Sequence, residues 1–339
     1  MIIQLKQQAT QKEYKKIVNY LKERNFKIKD VRSENVIVFG VIGDTSAIDP
    51  HDLYAFEGVD KITRVSTPFK NASRAFKAED TIIKINGITT IGKDQFTMIA
   101  GPCSIESETQ LRTTAKHLKA KGTHILRGGA YKPRTSPYSF QGMELDGLKL
   151  LRKISDEFEM AAISEIPSAD LIDTFEQYVD IIQVGARNMQ NFHLLKALSK
   201  SSKPIMLKRG LSATIEEWLM SAEYIMAGGN PNVILCERGI RTFEKYTRNT
   251  LDISSVLAVQ ELSHLPVIID PSHAAGRWQM IDKLSLASLA VGASGLMIEV
   301  HPNPEEALSD GAQSLKIPKF NELMDHIETL TPMFGKTLK

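Results

Sequence analysis

Four residues of metal-ligating type, Cys103, His273, Glu299 and Asp310, each stand at or just beyond the end of a short apolar run. A thiolate, an imidazole and two carboxylates form a mixed soft and hard set compatible with Mn²⁺, Fe²⁺, Co²⁺ or Zn²⁺. Taken singly, Cys103 reads as a small buried hydrophobe and His273 as a hydrogen-bonded ring. Their joint placement is what points to a divalent metal. His301, just past Glu299, is the alternative imidazole, whereas His124 precedes its apolar run. A second set is cationic: Arg127, Lys132, Arg134, Arg187, Lys208, Arg209 and Arg238. Arginine presents a bidentate fork and lysine a mobile point charge, so these residues suit phosphate or carboxylate. Some of them are expected to pair with Glu165, Glu237 or Asp270 as structural salt bridges.

The elements that must position these groups repeat regularly. From residue 96 onward, short apolar runs alternate with amphipathic helical segments. The strands are predicted over 96–102, 124–129, 161–165, 180–185, 204–208, 233–237, 266–270 and 295–300. Helices are predicted over 108–121, 144–158, 168–178, 191–200, 214–227, 247–263, 280–291 and 318–331. Eight such units, with no Gly-rich dinucleotide fingerprint after the first strand, predict a closed α/β (β/α)8 TIM barrel rather than an open doubly wound sheet. In such a barrel the chemistry sits at the C-terminal ends of the strands. Both sets occupy that rim, and closure between the eighth and first strands would bring Cys103, His273, Glu299 and Asp310 together around one ion. Cys236, inside the sixth strand, reads as core.

Residues 1–70 carry a different pattern, a strand over 1–7, a helix over 11–24, an apolar run over 35–42, a short helix over 50–57 and a closing strand over 61–66. Read as a βαββαβ order, one strand of which these runs leave unplaced, it predicts a small N-terminal ferredoxin-like α+β domain without a catalytic constellation. A polar stretch at 67–80 follows, then a hairpin turning on Asn86-Gly87, with the barrel domain assigned to 71–339.

Composition excludes several classes of function. A net charge of +2 with no long block of one sign leaves no nucleic-acid groove and no membrane-binding face. The N-terminus lacks the pattern of a secretory signal and no run has transmembrane length. Two cysteines make no disulfide framework, which predicts a cytoplasmic enzyme.

The motifs IAGPCSIES (99–107), RGGAYKPRTSPYSFQG (127–142), QVGARNMQN (183–191), LKRG (207–210), CERGIRTFE (236–244), DPSHAAG (270–276) and IEVHPNPEEALSDGAQSL (298–315) together closely resemble 3-deoxy-D-arabino-heptulosonate-7-phosphate (DAHP) synthases. The resemblance covers roughly residues 70–339. It implies condensation of phosphoenolpyruvate with erythrose 4-phosphate, the first step of the shikimate route to aromatic amino acids. By the same resemblance the metal ligands fall on Cys103, His273, Glu299 and Asp310. Phosphoenolpyruvate contacts fall on Arg127, Lys132, Arg187, Lys208 and Arg238, and the sugar-phosphate end on Arg134 and Thr135 of the substrate-binding run Lys132, Pro133, Arg134 and Thr135. Residues 1–70 resemble a regulatory extension, which implies feedback inhibition by tyrosine or phenylalanine and a homotetramer. The plainer alternative is a domain that only packs against a neighbouring subunit. Two rival functions remain: a 3-deoxy-8-phosphooctulonate synthase using arabinose 5-phosphate, and a catalytically silent amino-acid sensor. The Lys132–Thr135 run and the N-terminal extension favour the heptulosonate enzyme over the first. The second predicts decay of the metal or cation set, and none is visible.

Overall fold

The computed structural model describes residues 1–32, 37–42, 45, 48–63, 68–92, 94–134 and 136–338. By its internal contacts the chain forms two compact units, residues 1–79 with 262–264, and residues 80–261 with 265–339.

The first unit runs β1 (Ile2–Leu5), α1 (Gln11–Glu23), β2 (Lys27–Arg32), β3 (Ile37–Ile42), α2 (Pro50–Tyr54) and β4 (Val59–Thr63). Its strands form an antiparallel sheet in the order β2-β3-β1-β4, a ferredoxin-like arrangement. A capping box starts α1, with Thr10 and Glu13 satisfying each other's backbone amides. Ile17 and Leu21 of α1 pack with Ile3, Leu5, Phe39 and Val41 of the sheet. The strand β2 was not among the expected elements, because KIKDVR breaks the apolar alternation that marks a half-buried strand. The expected strand over 61–66 begins earlier, at Val59, and residues 64–66 lie outside the described residues, as do 35 and 36. The stretch at 67–80 is less polar in role than in composition. Phe69, Ala72 and Phe76 in it are buried, and the Phe76 ring lies so close over Gly40 that a Cβ there would meet it at 2.5 Å.

The second unit opens with a hairpin, β5 (Ile83–Ile85) and β6 (Thr89–Ile91), whose turn residues Asn86 and Gly87 both take positive φ. The barrel strands follow as β7 (Gln95–Gly101), β8 (Ile125–Arg127), β9 (Ala161–Ile166), β10 (Ile181–Val184), β11 (Ile205–Lys208), β12 (Val233–Glu237), β13 (Val267–Ile269) and β14 (Gly295–Glu299). All pair in parallel, and β14 pairs with β7 to close the ring. Between and beyond them run α3 (Glu108–Ala120), α4 (Glu144–Glu157), α5 (Ile172–Tyr178), α6 (Phe192–Leu198), α7 (Ile215–Ala227), α8 (Ser254–Leu262), α9 (Pro271–Ala275), α10 (Trp278–Ala290) and α11 (Ile317–Leu330). A last strand, β15 (Thr337–Leu338), adds to β7 outside the ring.

The strand residues are buried on both faces, as a barrel wrapped by helices requires. Inside, Ile99, Ile125, Ile163, Met206, Ile234, Cys236, Ile268 and Met297 form one cluster with Ile83, Ile85 and Ile91 of the hairpin. The hairpin thus adds three of its isoleucines to the barrel core, and Asn86 bonds Asp180 just before β10. Cys236 is core, as read from its position. One helix differs from expectation. The segment 247–253 is not helical, because the amides of Arg248 and Asn249 bond the carbonyls of Ala275 and Ala274 instead of continuing an i to i−4 ladder. Among the described residues, no helix is long and apolar enough to cross a membrane.

Candidate active site at the C-terminal rim of the barrel

Close backbone packing sets the first half of the site. A methyl on Gly101, the last residue of β7, would collide with the carbonyl oxygen of Arg127, so only glycine lets the ends of β7 and β8 approach this closely. Cys103 follows two residues later and is buried. Arg127, also buried, donates from Nη1 to Glu299 Oε1 at 2.8 Å, linking β8 to β14 across the intervening β7. Lys132, in the loop after β8, turns back to place Nζ 3.0 Å from Cys103 Sγ.

The second half is built at β13. Asp270 caps α9, accepting from the His273 amide at 2.9 Å with Oδ1 and from Lys208 Nζ at 2.6 Å with Oδ2. The short helix α9 then aims the His273 ring inward, with Nδ1 2.7 Å from Asp270 Oδ2 and Nε2 3.5 Å from Glu299 Oε1. Asp310 holds a left-handed backbone at φ 52°, a conformation a non-glycine residue keeps only when its surroundings fix it.

Ligand atoms of Cys103, Glu299 and Asp310 lie within 4.8 Å of one another. His273 stands outside that trio, but its Nε2 faces one of its members. His301 does not join them. Its Nε2 lies 3.3 Å from Glu106 Oε2, while its Nδ1 accepts from the Asn303 amide.

Electrostatics fit the same picture. Burial pushes the Cys103 thiol up to about 12, with the Glu299 carboxylate adding to it, so the sulfur keeps its proton until a cation replaces it. Burial holds the His273 imidazolium below its usual range against the pull of Asp270. Burial would raise the Glu299 and Asp310 carboxyls, but His273 and Arg127 hold Glu299 low, and Arg248 with His273 brings Asp310 down to about 2. A donor set of two ionised carboxylates, an imidazole with a free lone pair and a thiol fits a divalent cation.

The cations divide into two groups. Arg127, Lys208 and Arg209 are in buried ion pairs, Arg209 with both Glu237 and Asp252. Of the carboxylates expected as partners, Glu165 instead accepts from Gln183, and Glu299 takes a role not foreseen for it. Lys132, Arg134, Arg187 and Arg238 make no ion pair among the described residues, and all four line one cavity of about 360 Å³. Lys208, His273 and Asp310 line it too. Thr135 lies outside the described residues, and Pro133 lines the cavity beside Arg134.

The family model described as the DAHP synthetase I family matches residues 80–334, which include every one of these side chains. The chain belongs to the DAHP synthetase I family. A second model, the DAHP synthase ferredoxin-like domain, matches residues 1–67. A phospho-2-dehydro-3-deoxyheptonate aldolase of Thermotoga maritima is 47% identical over 99% of this chain and 99% of its own. The crystal structure of the DAHP synthase of that organism covers 100% of this chain and 99% of its own with a TM-score of 0.79. A 2-dehydro-3-deoxyphosphooctonate aldolase of Dichelobacter nodosus is 30% identical, but over 69% of this chain. The full-length match and the ferredoxin-like domain thus favour the DAHP synthase reading over the octulosonate one. The enzyme is an aldolase-type transferase of a metal-dependent family.

Other residues of this site were missed in the sequence. Arg241 and Arg248 line the cavity, Ser309 accepts from Arg134 at 2.7 Å, and Gln313 donates to Glu299 at 2.7 Å. Arg248 was hidden inside an expected helix. Ser309 and Gln313 lie in the quoted SDGAQSL run, where uncharged side chains gave no signal.

Proposed function

We propose that the barrel mouth condenses phosphoenolpyruvate with erythrose 4-phosphate and water to give DAHP and phosphate. The observation that carries this reading is the cavity in which Lys132, Arg134, Arg187 and Arg238 stand without carboxylate partners among the described residues, beside His273 and Asp310. Two substrates each bearing a phosphate account for that surplus of cations.

Cys103, His273, Glu299 and Asp310 would hold the divalent ion. When bound, that ion supplies Lewis-acid polarisation of the aldehyde oxygen. Arg127, Arg187, Lys208 and Arg238 orient phosphoenolpyruvate so that its enol carbon faces the aldehyde carbon, and Arg134 with Thr135 holds the far phosphate. A C–C bond forms between these two carbons. Water adds to the cationic C2, and the hemiketal phosphate loses phosphate by C–O cleavage. Lys132 serves there as proton donor or electrostatic clamp.

Residues 1–70 act as the regulatory domain, binding tyrosine or phenylalanine, and residues 71–339 as the catalytic domain. The enzyme works in the cytoplasm, a reading supported by two free, buried cysteines. It assembles as a homotetramer, which light scattering tests directly.

Arg134→Ala separates the two ends of the site. It raises KM for erythrose 4-phosphate at least about tenfold and leaves that for phosphoenolpyruvate nearly unchanged. The reverse pattern would reassign Arg134 to the other substrate.

A further inference from the structure

The buried amide of Gln313 joins the two carboxylates of the candidate metal centre to an arginine at the mouth. Its Nε2 donates to Glu299 Oε2 at 2.7 Å and lies 3.5 Å from Asp310 Oδ2, while its Oε1 accepts from Arg248 Nη1 at 2.8 Å. Arg248 also reaches Asp310 Oδ2 at 3.3 Å. Gln313 is 2% exposed, so these groups have little water to turn to.

The neighbours dictate the side chain. A guanidinium only donates, so Oε1 must face Arg248; ionised carboxylates only accept, so Nε2 must face Glu299 and Asp310. A carboxylate at this position would face two others, and a cation would face Arg248. An apolar side chain would leave Glu299 Oε2 and Arg248 without this partner. The amide has both faces and the length to use them.

With Glu299 Oε2 bound to Gln313 and Oε1 bound to Arg127, the carboxylate plane is fixed from both sides. The Gln313 amide N–H also donates to the Asp310 carbonyl at 3.2 Å, which helps hold that residue in its left-handed conformation. We infer that Gln313 is a positioning residue for the metal centre, presetting Glu299 and Asp310 for the ion and coupling them to Arg248 at the substrate mouth. This rests on the metal-site reading above. Outer hydrogen bonds of this kind change metal affinity roughly 10- to 100-fold when removed.

The test is titration of Co²⁺ into the metal-free, full-length enzyme, followed by the thiolate-to-cobalt absorption band. Gln313→Met keeps side-chain length and removes only the amide, and Arg248→Met removes the group behind it. We expect Gln313→Met to bind Co²⁺ roughly 10- to 100-fold more weakly than the parent with an altered band, while its metal-free far-ultraviolet circular dichroism matches the parent. Arg248→Met, expected to fold in any case because Arg248 is partly exposed, should weaken binding less, in the same direction. Should Gln313→Met fail to fold, Arg248→Met decides alone. Parent-like affinity and band in the folded variants would overturn the role of Gln313. A parent enzyme that shows no thiolate band would overturn the metal centre itself, and this inference with it.

Discussion

The ammonium nitrogen of Lys132 lies 3.0 Å from the sulfur of Cys103 and 3.1 Å from that residue's carbonyl oxygen. The loop after β8 is therefore clasped to the loop after β7, with the candidate proton donor held against a candidate metal ligand. Lys132→Met should lower kcat by roughly 10²- to 10⁴-fold at saturating substrates. Steady-state phosphate release measures this, and near-parent turnover would remove Lys132 from the mechanism.

Gly101 lets β7 and β8 close on each other. Gly101→Ala has to push the Arg127 carbonyl away, which moves Cys103 and the Arg127–Glu299 pair apart. The variant should lose most activity and several degrees of thermal midpoint. Full activity with an unchanged melting curve would show that the rim tolerates the displacement.

Arg209 is shared by Glu237 and Asp252, and the two carboxyls respond differently. Partial burial pushes Asp252 up, but the hydrogen bonds from Arg209 and Ser254 outweigh it and leave the group below its ordinary value. A depressed carboxyl contributes stability above its unfolded pKa and loses it as pH falls through the folded one. Asp252→Asn should therefore lower the urea midpoint near neutrality, and the gap from the parent should narrow as pH drops from about 5 to about 3. A gap that widens in acid would contradict the sign.

If residues 1–70 are regulatory, their deletion should leave turnover standing and abolish inhibition by tyrosine or phenylalanine. Kinetic titration of each amino acid against both forms decides it. Inhibition unchanged by the deletion would favour the packing role instead.

The barrel was legible because each of its strands, buried on both faces, is a short apolar run bounded by polar residues. The rim rule then placed Cys103, His273, Glu299 and Asp310 at one mouth, of which the structure groups Cys103, Glu299 and Asp310, with His273 facing Glu299. Arg248 was not legible for a physical reason. Leu251, Val256 and Val259 continue a helical period back through it, but the amides of Arg248 and Asn249 bond the carbonyls of Ala275 and Ala274 of α9, a partner the local pattern does not contain. Gln313 escaped because an uncharged amide has no sequence signature until its two opposite neighbours are known. The strand β2, with two isolated apolar residues, depends on pairing with β3 rather than on its own alternation.

The most direct test of the central claim is consumption of phosphoenolpyruvate by the metal-free and the Mn²⁺-loaded enzyme, with erythrose 4-phosphate or arabinose 5-phosphate as the aldehyde. Turnover with the four-carbon aldehyde, absent without metal and restored by Mn²⁺, is the predicted result. Preference for arabinose 5-phosphate, or equal turnover after thorough chelation, would contradict it.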